Sequence, residues 1–79
     1  MKTKFKRHQL VKIMIVPDLE YVEYHNENED NIPDIPIKAG MKGRINIILP
    51  NGQYHVEILD AREQIFAYAP FNEEDLEAL

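Results

Sequence analysis

The side chains of this 79-residue chain that could do chemistry begin with its histidines and their neighbouring carboxylates. His25 lies between Glu23 and Glu27, three residues of metal-binding type at alternating positions. Zinc sites in proteins use three or four ligands that a rigid second shell holds in place. This set falls in a polar stretch with nothing to hold it rigid. The pattern therefore predicts an acidic loop and no metal site.

A second pair, His55 and Glu57, shares one face of a predicted strand. A histidine beside a carboxylate can transfer protons, but catalysis also needs a nucleophile or a third group, and we find no candidate. The chain has no cysteine, which excludes thiolate nucleophiles, cysteine-ligated zinc and disulfides. Gly40 and Gly43 belong to a turn and not to a phosphate-binding loop. We therefore predict no catalytic residue, no cofactor and no enzymatic activity.

The elements that would position these residues are short strands separated by turns. The first strand is closed by Pro17 and places Val11, Ile13 and Ile15 on one face. Alternating and β-branched apolar residues predict five strands in all, at residues 9–16, 44–49, 53–59, 64–69 and 76–79. Residues 50–52, Pro-Asn-Gly, predict a hairpin turn. A second turn follows at residues 60–63, and Asn72 begins a single capped helical turn.

The first connection, residues 17–37, is the least regular part of the chain and carries seven acidic residues without a Lys or Arg. Its tip, residues 25–31, has no apolar residue and is predicted to be exposed. Connections of this length in a small domain are often functional, and aromatic residues among charges are common at protein interfaces. The predicted partner-binding residues are Tyr21, Glu23, Tyr24 and Glu27.

Composition bounds the possible locations and partners of the protein. Residues 1–8 are predicted to be a flexible basic terminus, and residues 9–79 one domain. Residues 10–16 are too short and too polar for a signal-peptide core, and no segment approaches the ~18 apolar residues that span a membrane. The lack of cysteine favours a reducing compartment, so we predict a cytoplasmic protein. A net charge of −5 argues against a general nucleic-acid binder.

The order of the predicted elements is that of a five-stranded SH3-like barrel with a long first loop and one short helical turn before the last strand. Residues 37–45 with their Gly-x-x-Gly turn, residues 52–60 and the acidic ending around Leu76 resemble a family of small bacterial proteins described only as a domain of unknown function. The resemblance implies an SH3-like barrel and no catalytic residues. The chain differs in its longer first connection and in Ile58, where the family has an aromatic residue. A weaker similarity to peptide-binding SH3 domains lacks their central tryptophan, which argues against binding of proline-rich peptides.

These features predict a non-enzymatic protein-interaction or accessory module, a monomer or weak oligomer, whose acidic loop contacts a protein partner. The alternative is a small nucleic-acid-associated barrel similar to the KOW-type barrels of translation and transcription factors. That function would use the two basic segments of the chain, Lys2–Lys12 and Lys38–Arg44.

Overall fold

The computed structural model describes residues 4–24 and 36–79, which form a single antiparallel sheet. Its six strands are β1 (Leu10–Ile13), β2 (Glu23–Tyr24), β3 (Lys42–Ile48), β4 (Tyr54–Leu59), β5 (Ile65–Phe71) and β6 (Leu76–Ala78). Two short 3-10 turns, Leu19–Tyr21 and Glu73–Asp75, are the helical segments of the described chain. The prediction of an all-β protein is confirmed. Among the described residues, no helix has the length and apolar character to cross a membrane.

The strands lie in the order β2-β5-β4-β3-β1-β6, and the sheet is not closed because β2 and β6 do not pair with each other. One strand more is present than the sequence predicts. The additional strand is β2, which falls within the predicted long loop and pairs with Tyr68 and Ala67 of β5. The predicted tip at residues 25–31 lies outside the described residues.

The two hairpin turns between β3, β4 and β5 form as the sequence predicts, by different means. In the first, the N–H of Gly52 donates to the carbonyl of Leu49 at 3.1 Å, and Gly52 takes a φ of 87° that a side chain would disfavour. The second has no glycine. There the Asp60 carboxylate accepts from the N–H groups of Arg62 and Gln64 at 2.8 and 2.9 Å and holds the turn instead.

One face of the sheet, the inner face, carries the apolar core. Val11, Ile45, Val56 and Ile58 are all fully buried there. Gly43 of β3 packs closely against this face, since a Cβ at this position would stand 2.6 Å from Cγ1 of Val56 and 3.6 Å from Cγ2 of Ile13. The second glycine of the Gly-x-x-Gly turn is therefore required by close packing and not by a positive φ.

The inner face is covered by segments outside the regular strands. β1 and β2 are separated by three strands in the sheet, so the connection between them must cross from one side to the other. Pro17 is buried and Val22 packs against the core, which places this crossing over the inner face. Phe5, 1% exposed, belongs to the terminus predicted as a flexible extension, and the structure places it in the core.

Replacing Gly43 with Ala should destabilise the protein by about 1–3 kcal/mol, because the new methyl group overlaps Val56. The measurement is urea unfolding of Gly43→Ala, Val56→Ala and the double variant. Since Val56→Ala removes the overlapping methyl group, the two effects should be less than additive by about 0.5–3 kcal/mol. Strict additivity would show that Gly43 is required for another reason.

Candidate functional site

The most distinctive surface is formed by residues 14–24, which we name the arm. The described residues include nine large hydrophobic side chains that are exposed, and six of them lie in the arm. These six are Met14, Ile15, Val16, Leu19, Tyr21 and Tyr24. Leu19 and Tyr21 are the most exposed, at 67% and 63%. This concentration in one segment of the chain differs from the scattered single hydrophobic residues of an ordinary protein surface.

Backbone and capping contacts hold the arm in place. The Asp18 carboxylate accepts from the N–H of Glu20 at 3.1 Å and caps the first 3-10 turn. Within this turn the N–H of Tyr21 donates to the carbonyl of Asp18 at 3.0 Å. Pro17 before the turn is buried, and half-buried Val22 after it packs against the core. The exposed apolar side chains are therefore presented by a structured segment.

The structure separates the residues predicted to bind a partner. Glu23 and Tyr24 are neighbours on β2, so their side chains point to opposite faces. Tyr24 pairs with buried Ala67 at the rim of the inner face, whereas Glu23 pairs with Tyr68 on the outer face. Tyr21 lies in the 3-10 turn. Glu27 lies outside the described residues.

Sequence reasoning missed the beginning of the arm. The first strand, predicted over residues 9–16 with Ile15 on the same face as Ile13, ends at Ile13. Ile15 is 43% exposed, and Met14 and Val16 are exposed on either side of it. Pro17, which the sequence analysis used to close this strand, lies four residues beyond its observed end, so that signal placed the end of the strand too late.

The outer face carries polar side chains that are paired across strands. Arg44 of β3 lies opposite Glu57 of β4, with Nε 3.2 Å from Oε1, and the Glu57 side chain is only 13% exposed. His55 stacks on Tyr68 with a centroid distance of 5.5 Å. Its Nδ1 accepts from the Asn46 amide at 3.1 Å. His55 and Glu57, considered above as an acid–base pair, are thus each held by a neighbour on β3.

A second hydrogen-bonded cluster ties the first described residues to the end of the chain. The hydroxyl of buried Tyr54 accepts from the N–H groups of Lys4 and Phe5 at 3.1 and 3.3 Å, and donates to Oε2 of Glu73 at 2.7 Å. The same carboxylate oxygen accepts from the N–H of Lys4 at 3.1 Å. Burial, together with the Glu73 carboxylate, raises the pKa of the Tyr54 hydroxyl. The hydrogen bonds from Tyr54 and Lys4 lower the pKa of Glu73.

A basic turn lies beside the bulge of β3. The N–H of Gln9 donates to the carbonyl of Lys6 at 3.1 Å, and Nε of Arg7 donates to the carbonyl of Asn46 at 3.2 Å. Lys6, Arg7 and His8 are exposed, and the adjacent Ile47 side chain is 46% exposed. We name Lys6, Arg7, His8 and Ile47 the basic patch.

The other basic segment, Lys38–Arg44, is largely neutralised. Lys42 forms an ion pair with Glu63, and Arg44 pairs with Glu57.

The described residues contain no group of three or more side chains able to hold a metal ion. No protein-family model matches the chain, and no curated protein or solved structure is found to be similar to it.

Glu73 should make the stability of the protein depend on pH under acidic conditions. Its pKa is lowered in the folded state, so its contribution is present above its ordinary pKa and is lost as pH falls through the lowered value. The Glu73→Gln variant should be less stable than the unsubstituted protein at about pH 7, and this difference should shrink towards about pH 3. The measurement is urea unfolding at both pH values.

The matched control is Glu74→Gln, which changes an exposed neighbour that makes no hydrogen bond within the described chain. It should leave stability nearly unchanged at both pH values. A difference between the unsubstituted protein and Glu73→Gln that stays constant with pH would contradict the role of the Glu73 charge.

Proposed function

We propose that this protein is a non-enzymatic interaction module that binds a protein partner through the arm. The main support for this proposal is the concentration of exposed large hydrophobic side chains in residues 14–24. Exposed apolar residues gathered in one patch and mixed with charges are the usual mark of a recognition surface. Capping by Asp18 supports the proposal, because a preformed segment loses less conformational entropy on binding.

The chemistry of the arm favours a protein over the other partners that expose apolar or charged surfaces. Asp18, Glu20 and Glu23 lie among its apolar residues, and the arm contains no Lys or Arg. These acids would repel both an anionic membrane surface and the phosphates of nucleic acid. A protein surface with an apolar centre and a basic rim fits the arm best.

The fold proposed for this module is a small barrel of the SH3-like type, in a bacterial cytoplasmic protein. Apart from β2, the strands follow one another along the chain in the predicted order, β1, β3, β4, β5 and β6, and the arm occupies the place of the long first loop. The 3-10 turn before β6 also agrees with this assignment. The lack of cysteine supports the location.

The test is site-specific photo-cross-linking in the native cell. A photoreactive phenylalanine analogue at Leu19 should give one defined protein adduct, whereas the same group at exposed Glu74 should not. Adding Ile15→Ser and Val16→Ser should reduce the adduct at least tenfold, because truncating central interface residues costs more than about 1 kcal/mol each. The same adducts from both positions, or cross-links to nucleic acid, would overturn the proposal.

A further inference from the structure

Two surfaces of this protein have opposite charge and a similar construction. The arm carries the exposed acids Glu20 and Glu23 on the same segment as exposed Leu19 and Tyr21. The basic patch places Lys6 and Arg7 beside exposed Ile47, on the chain segment that runs alongside β3. Each surface therefore combines an apolar element with a charged rim, and the rims have opposite signs.

Within the described part of one molecule, the two surfaces form no ion pair with each other. In the described chain the ion pairs are Lys42 with Glu63 and Arg44 with Glu57, and neither includes a residue of the arm or of the basic patch. The arm joins the sheet through β2 at one end of the strand order. Arg7 contacts Asn46 of β3, and β5 and β4 lie between β2 and β3 in the sheet. The opposite charges remain available for another molecule.

We propose that the basic patch of one molecule docks on the arm of a second copy of the same chain. This inference rests on the proposed function, for which it names the partner. Lys6 and Arg7 of one copy would face Glu20 and Glu23 of the next, with Ile47 against the exposed apolar side chains of the arm. Complementary charges set the orientation of such a contact.

A single contact of this kind leaves one arm and one basic patch free, so further copies can add unless two contacts close a two-fold dimer. The strength of the contact must come mainly from the apolar residues, because exposed ion pairs contribute only about 0–1 kcal/mol each. Both surfaces are small, which places the interface in the weak class below about 1,200 Å². Association should therefore depend on concentration and weaken as salt screens the rims.

The experiment uses sedimentation equilibrium of the purified chain and of two variants, each with one surface reversed in charge. Glu20→Lys with Glu23→Lys reverses the arm and keeps the Asp18 cap, and Lys6→Glu with Arg7→Glu reverses the basic patch. The unsubstituted protein should show an average mass that rises between about 10 μM and about 1 mM. Each variant alone should remain monomeric over this range.

Mixing the two variants gives the decisive result. One variant keeps its basic patch and the other keeps its arm, so an equimolar mixture should form a one-to-one dimer that does not grow further. Combining all four substitutions in one chain should restore association, because the arm then has a basic rim and the former basic patch an acidic one. Glu74→Lys with Glu77→Lys changes the net charge as much as the arm variant does, outside both surfaces, and should associate like the unsubstituted protein.

A monomeric unsubstituted protein across the whole range, or a mixture without the dimer, would overturn the inference. Neither result would affect the proposed function, since cross-linking from Leu19 would still report a different protein partner. Association that persists in both variants would also overturn it, because another surface would then be responsible.

Discussion

The described residues form a single antiparallel sheet and include no packed helix, so other segments of the chain must cover its apolar face. In this protein the inner face of β1, β3, β4 and β5 carries fully buried aliphatic residues such as Val56 and Ile58. Phe5 belongs to this core, Val22 of the arm packs against it, and Pro17 of the arm is buried. Much of the remaining architecture follows from this requirement, including the close approach at Gly43 and the tie of Lys4 and Phe5 to Tyr54.

The arm has two roles because Pro17 is buried and Val22 half-buried, whereas its other residues are exposed. Pro17 is buried and Val22 packs against the core, which holds the crossing segment in place, whereas Ile15, Leu19 and Tyr21 are exposed. A segment that covers a core is fixed without being buried on both sides. It can therefore present apolar residues at little cost in ordering when a partner binds.

The sequence was sufficient to predict the strands whose side chains alternate and whose turns have local signals. β4 and the turn ending at Gly52 are examples, because their information lies within a few adjacent residues. Tertiary contacts could not be predicted in this way. The burial of Phe5 depends on Tyr54, far along the chain. The basic residues on either side of Phe5 led the sequence analysis to predict an exposed terminus instead.

In the candidate site, too, features encoded locally could be predicted and features that depend on distant residues could not. Tyr21 and Glu23 were identified from composition, and both are exposed in the arm. The opposite facing of Glu23 and Tyr24 follows from the pairing of β2 with β5, which a loop prediction does not include. The cluster of Tyr54, Lys4 and Glu73 joins residues up to 69 positions apart. During synthesis, the residues that surround Phe5 in the folded protein are therefore completed only when nearly the whole described chain has emerged. Until then an aromatic side chain near the start of the chain is exposed to solvent, and the basic residues around it help to keep the nascent chain soluble.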